Sequence, residues 1–281
     1  MLECVANVSE GRDVDVLDAL ARACGESLLD RHVDTDHHRS VFTLAGPGSW
    51  DALAAVVALA GAAASRLDLR THTGVHPRLG VLDVVPFVPL GVPFLAAVDA
   101  AYSFAAWVNT DLAVPVFFYD ACADGYRSLP EVRRGAFSAF GPDLGLAEPH
   151  PRLGAVAVGA RRPLVAVNCW LDTDDLALAR TVAAAVRERD GGLPGVRALG
   201  LELPSRGAAQ VSMNLVDLER TGVEEACRAV QDAVEVAGGS VERVELVGLL
   251  PAEELARCSG EFVTWARLGP EVTIEGRLAA Q

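Results

Sequence analysis

The order of apolar segments is written twice along these 281 residues, and this doubling limits the fold more than any single motif. In the first half, residues 2–8 read as a strand and residues 14–24 as an amphipathic helix. Residues 27–29 and 40–45 predict strands around a polar loop, 50–65 a second helix and 81–88 another strand. That order is β-α-β-β-α-β, the split-βαβ or ferredoxin-like arrangement. A helix near 94–108 and a strand at 114–119 extend it.

The second half repeats the order with clearer punctuation. Residues 164–170 predict a strand. Residues 174–189 predict a helix, acidic in its first turn, arginine-rich in its last, and closed by Gly191 and Gly192. Strands at 196–203 and 210–217 flank a turn, and Thr221 and Glu224 have capping-box spacing for a helix that stops at Gly238 and Gly239. A strand at 241–247 and a short helix near 252–257 follow. The expected class is α/β (α+β), with two ferredoxin-like βαββαβ subdomains with insertions, spanning 1–160 and 161–281. Residues 128–154, dense in Gly and Pro, predict a long irregular connection; such loops are usually either functional or disordered, and the functional reading is favoured here.

Composition removes several function classes. The longest apolar stretch, 52–65, is shorter than the roughly 20 residues of a membrane span, so it predicts a buried helix and no membrane association. The opening residues lack a basic region before an apolar run, and six cysteines are scattered without C-x-x-C spacing; both fit a cytoplasmic protein with reduced thiols. A net charge of −14 with dispersed basic residues argues against nucleic acid. All 24 basic residues are arginine, so there is neither a Schiff-base lysine for pyridoxal phosphate nor a P-loop lysine. Cys169, between apolar stretches, reads as core rather than nucleophile.

The pentapeptide His-Pro-Arg-Leu-Gly occurs at 76–80 and again at 150–154, each time running into a predicted strand. Proline fixes φ and glycine frees it, giving a rigid turn able to aim backbone amides and an arginine at an anion. Either copy alone reads first as a strand-initiating turn; the clustering of Arg70, His72, His76 and Arg78 within nine residues brings the anion-binding reading level with it. The stretch THTGVHPRLGVLDVVPFVP from Thr71 resembles the signature of glutamate formiminotransferases. So do ECVANVSEGR from Glu3, DHHRSVFT from Asp36, GAVAVGAR from Gly154, QVSMNL from Gln210 and ELVGLLP from Glu245, in the family order.

The resemblance implies two ferredoxin-like subdomains and transfer of a formimino group from N-formimino-L-glutamate to N5 of tetrahydrofolate, a step of histidine degradation. It places the catalytic acid/base on His76 and folate contacts on the segment from Gly145 to Gly154, which includes His150, Pro151, Arg152 and Leu153. Tetrahydrofolate is the expected co-substrate and no metal is expected. An imidazole titrating near neutrality suits the reaction, which removes a proton from one amine and delivers one to another. Both substrates carry carboxylates, so Arg39, Arg78 and Arg152 are candidate anchors.

Three positions depart from the family pattern: His32 stands where Asp is usual, His38 where Asn is usual, and Val75 where Glu precedes the catalytic His. Leu153 also replaces an aromatic residue. The histidines and carboxylates of 32–38, with His72 and His76, leave a metal-assisted enzyme as one alternative, and a folate- or anion-binding relative without turnover as another. Family members tend to dimerise, which makes a homodimer an expected partner. The sequence stops before the cyclodeaminase domain that some relatives append, implying release of product to a separate enzyme.

Overall fold

A computed structural model of the chain describes residues 1–48, 50–73 and 78–281. The chain divides into two compact units, Met1–Arg161 and Arg162–Gln281.

The first unit opens with strand β1 (Leu2–Val8), helix α1 (Val14–Cys24), strands β2 (Leu28–Asp34) and β3 (Arg39–Ala45), helix α2 (Asp51–Arg66) and strand β4 (Leu82–Pro89). Helix α3 (Phe94–Leu112), β5 (Val116–Asp120), α4 (Leu129–Gly135) and β6 (Val156–Ala160) follow. The sheet order is β2-β3-β1-β4-β6-β5. Its first four strands are the antiparallel sheet of a βαββαβ unit, and β6 and β5 extend it in parallel. Alternation along the strands puts Cys4, Ala6, Phe42, Leu44, Val85 and Phe87 in one core with α1, α2 and α3. Helix α2 buries Ala52, Ala55, Val56, Leu59, Ala60 and Ala63, small side chains that let it lie close to its neighbours. Helix α1 begins where Asp13 accepts from Val16 N at 3.1 Å, and ends at Gly25, whose φ of 59° an L side chain adopts only with strain.

The second unit repeats the plan: β7 (Val165–Leu171), α5 (Leu176–Val186), β8 (Val196–Leu203), β9 (Ala208–Leu215), α6 (Val223–Val236) and β10 (Val241–Val247). The sheet order is β10-β7-β9-β8, antiparallel throughout. Helices α7 (Ala252–Arg257), α8 (Gly260–Ala266) and α9 (Ile274–Ala279) follow. No helix among the described residues is long and apolar enough to cross a membrane.

Two local expectations change. Strand β2 runs to Asp34 rather than stopping near residue 29, because its polar residues pair with β3 at the sheet edge, where alternation of burial is not required. The capping box at Thr221 and Glu224 does not form: Val223 N instead donates to Glu254 Oε1 at 2.6 Å, and Glu224 accepts from Ser259 N at 2.6 Å and Arg228 Nε at 2.8 Å. Side chains brought from α7 and α8 outcompete the local motif. The connection 128–154 is also more ordered than expected, holding α4 and a bridge from Val116 to Leu144.

Candidate active site

The two His-Pro-Arg-Leu-Gly turns lie against each other. Val81 N donates to Leu153 O at 2.9 Å and Ala155 N to Leu79 O at 3.0 Å, which sets Gly80 opposite Gly154. A Cβ on Gly80 would lie 2.2 Å from Ala155 O, and one on Gly154 would lie 2.3 Å from Leu79 O. Only glycine permits backbones this close, so the last residue of each turn is explained by its partner turn. Ser9 joins them, its N donating to Val81 O and its Oγ to Gly80 O, both at 2.8 Å.

His76 and Val75 lie outside the described residues. His72 and Arg78, which flank them in sequence, belong to a polar network with Glu10 and His38. Glu10 is buried, and its Oε1 accepts the backbone amides of Gly11, Arg12 and Asp13 at 2.8, 2.7 and 3.0 Å. The same oxygen meets His38 Nε2 at 3.0 Å. Burial alone would raise the Glu10 pKa; the Asp13 and Arg12 amides and the His38 ring outweigh it and hold the group below its ordinary 4.5. The His38 ring stacks on His72 with centroids 4.0 Å apart. Burial, the Arg78 charge and His38 together lower the His72 pKa, favouring the neutral ring, and Arg78 Nη1 donates to its Nε2.

Arg39 lies beside this network. Its guanidinium donates to Asn7 Oδ1, with Nε at 3.0 Å, and sits 4.0 Å from the buried Asp83. Asp83 also accepts Arg133 Nη2 and Leu79 N, each at 2.6 Å. Burial drives the Arg39 pKa down to about 10, with Asp83 opposing and Arg133 and Arg78 reinforcing the shift; the group remains cationic at neutral pH. Arg39 and Arg133 thus gather at one buried carboxylate, and Arg78 is close enough for its charge to be felt there.

The second turn is held from within. His150 Nδ1 accepts Arg152 N at 3.1 Å and Leu153 N at 3.0 Å. The Arg152 guanidinium donates to Ala64 O at the end of α2, and Leu153 is buried in the core. Gly145 and Pro151 are exposed, and Gly145 has φ of 95°. His32 pairs with Val41 in the β2–β3 ladder, and Asp34 accepts His37 N at 2.8 Å to close the turn between those strands. Among the described residues no group of three or more metal-ligating side chains converges. An open depression of about 410 Å³, lined by Tyr126, Arg127, Arg134 and Phe140 among others, includes none of the expected site residues.

Glu10, Asp83 and Arg133 were not assigned roles from sequence. Glu10 had a usable signal, a carboxylate just ahead of a helix N-terminus. Arg133 had none, lying within the stretch expected to be irregular.

Residues 1–161 match the model of the formiminotransferase domain, N-terminal subdomain, and residues 166–268 match that of the formiminotransferase domain. The chain belongs to the formiminotransferase family. It is 35% identical to glutamate formimidoyltransferase of Streptococcus pyogenes serotype M1 over 91% of this chain and 90% of that protein. The corresponding enzyme of Thermoplasma acidophilum is 33% identical, over 91% of this chain and 89% of its own length. Formimidoyltransferase-cyclodeaminase of Sus scrofa is 35% identical over 91% of this chain, which spans 51% of that longer relative. Both units thus carry formiminotransferase sequence, and the network described above lies in the part matched by the N-terminal subdomain.

Proposed function

We propose that this protein transfers the formimino group of N-formimino-L-glutamate to N5 of tetrahydrofolate, with His76 taking the proton from the attacking amine and returning one to the departing glutamate nitrogen. The observation that carries this reading is the pairing of the two turns. It sets the chain that follows His76 directly against residues 150–155. Arg78, two residues beyond His76, is anchored to the His72 ring, which fixes the exit of that segment. Arg39, half-buried and cationic, is the anchor for a substrate carboxylate, assisted by Arg78. Along the folate segment, His150, Arg152 and Leu153 stabilise the turn itself, which leaves the exposed Gly145 and Pro151 to meet the ligand.

The test is turnover with tetrahydrofolate and formiminoglutamate by the wild type and by His76→Ala. General acid–base catalysis contributes about 10²–10⁴-fold, so the variant should lose activity by that factor while still binding both substrates. A wild type that binds folate without turnover, or a variant with undiminished rate, would overturn the reading.

A further inference from the structure

In the first unit, the loop that follows β5 and helix α4 line an open depression of about 410 Å³, which shares no residue with the network around Glu10. Tyr126 borders it, 71% exposed and held at a left-handed φ of 54°, a conformation costly for a bulky side chain. Two backbone bonds pin that turn: Asp120 N donates to Arg127 O at 2.8 Å, and Tyr126 N donates to Ala123 O at 3.2 Å. Backbone strain of this kind collects at ligand clamps. Arg127, next in the chain, places its guanidinium carbon 4.4 Å from the centroid of the Phe140 ring. Its Nε and Nη2 donate to Phe118 O at 3.3 and 3.1 Å, and Nη2 also pairs with Asp143; Nη1 makes no hydrogen bond among the described residues. Glu131 and Arg134, one turn apart on α4, line the same depression. Glu131 Oε2 accepts Ser128 N at 2.8 Å and the Ser128 hydroxyl, which leaves Oε1 to the depression. Those two bonds, then the Arg134 and Arg127 charges, hold the Glu131 carboxyl below its ordinary 4.5, so it is ionised at neutral pH.

We propose that this depression is a binding site for a zwitterionic α-amino acid with an aromatic side chain. Its volume falls within the range of small-molecule sites, and it stands apart from the transferase reading above. A simple anion such as phosphate would meet the Glu131 and Asp143 carboxylates, and a simple cation would meet two guanidiniums. A ligand with an ammonium and a carboxylate on one carbon answers both charges. Its carboxylate takes the Arg134 guanidinium, which is exposed and makes no hydrogen bond among the described residues, together with Arg127 Nη1. Its ammonium donates to Glu131 Oε1. Stacking on Phe140 fixes the plane of Arg127, so that nitrogen is aimed before the ligand arrives. The side chain of the ligand then lies against the Tyr126 ring, where an aromatic group gains more than an aliphatic one of similar size.

Saturation-transfer NMR titration of the full-length protein with L-phenylalanine tests the site without reference to turnover. A ligand this small in an open site gives a Kd of about 1 mM for wild type. Arg134→Ala and Glu131→Gln should each weaken binding about tenfold, since each removes one charged partner. Tyr126→Ala should weaken it by a similar factor, and Tyr126→Phe, which keeps the ring, should stay within twofold of wild type. Two further probes divide the ligand: 3-phenylpropionate lacks the ammonium, phenethylamine lacks the carboxylate, and both should bind about tenfold more weakly than phenylalanine. Absence of phenylalanine binding to wild type at about 10 mM would overturn the site. So would equal affinity for phenylalanine and 3-phenylpropionate, or binding unchanged by Arg134→Ala. Displacement of phenylalanine by formiminoglutamate with the Arg134→Ala affinity unaltered would assign the ligand to another site and overturn this one. Tyr126, Glu131 and Arg134 are all exposed, so their variants report on the depression rather than on folding.

Discussion

Replacing Glu10 by glutamine keeps the shape and removes the charge, isolating the electrostatic part of the anchor beneath His38. Four groups converge on its Oε1: three backbone amides at 2.7–3.0 Å and the His38 ring at 3.0 Å. A hydrogen bond to a charged group contributes about 1.5–3 kcal/mol and a neutral one about 0.5–1.5, so neutralisation costs about 1 kcal/mol per bond. Because all four share one oxygen, none is ideally directed, and halving the sum gives about 2 kcal/mol. The folded pKa of Glu10 lies below its ordinary 4.5. A depressed carboxyl contributes stability that is present above the unfolded pKa and lost as pH falls through the folded one. The deficit of Glu10→Gln should therefore be complete at pH 7.5 and shrink progressively below about pH 4.5. Urea unfolding read by hydrogen exchange of β1 and β3 peptides is the suitable assay, since a whole-chain signal mixes the two units. A deficit under about 0.5 kcal/mol at pH 7.5, or one that is the same at pH 7.5 and pH 3.5, would refute the charge-based account of this anchor.

Two further outcomes follow from the same neighbourhood. Arg133→Met removes the closer of the two arginines paired with Asp83, which is 2% exposed. Breaking a buried ion pair on one side costs about 3–5 kcal/mol, and Arg39 at 4.0 Å reduces this, so we expect about 3 kcal/mol by denaturant unfolding; a loss below about 1 kcal/mol would mean that Arg39 alone suffices for Asp83. Leu153→Phe restores the aromatic character usual in the family at a position that is 6% exposed here, so overpacking should destabilise the first unit by about 1–3 kcal/mol without tightening folate binding; tighter binding at unchanged stability would show that the side chain turns outward to the ligand.

The architecture was legible because both units follow alternation and helical spacing closely: the strands at 196–203 and 241–247 and the helix from Val14 to Cys24 fall where the apolar pattern sets them. What the pattern could not convey is which residues meet across long separations. The two pentapeptides were visible as a repeat, yet nothing in either copy announced that Gly80 and Gly154 face each other; that requires β6 to lie beside β4, a consequence of the parallel extension of the sheet. The same limit governs the arginines. Arg39, Arg78 and Arg152 look alike in sequence, each next to a turn in a motif. Only the folded chain separates a guanidinium tied to Asn7 and Asp83 from one donating to a histidine ring and one spent on the carbonyl of Ala64. The departures at His32 and His38 divide in the same way. His32 lies in the β2–β3 ladder, whereas His38, left-handed at φ of 50°, turns its ring onto Glu10 and His72. A histidine in that position adds a stacked ring and a contact with Glu10 to the network that holds Arg78. Because His38 is one of the groups that lower the His72 pKa, His38→Asn should let His72 rise toward its ordinary value; a His72 titration by NMR that is unchanged in the variant would refute that coupling.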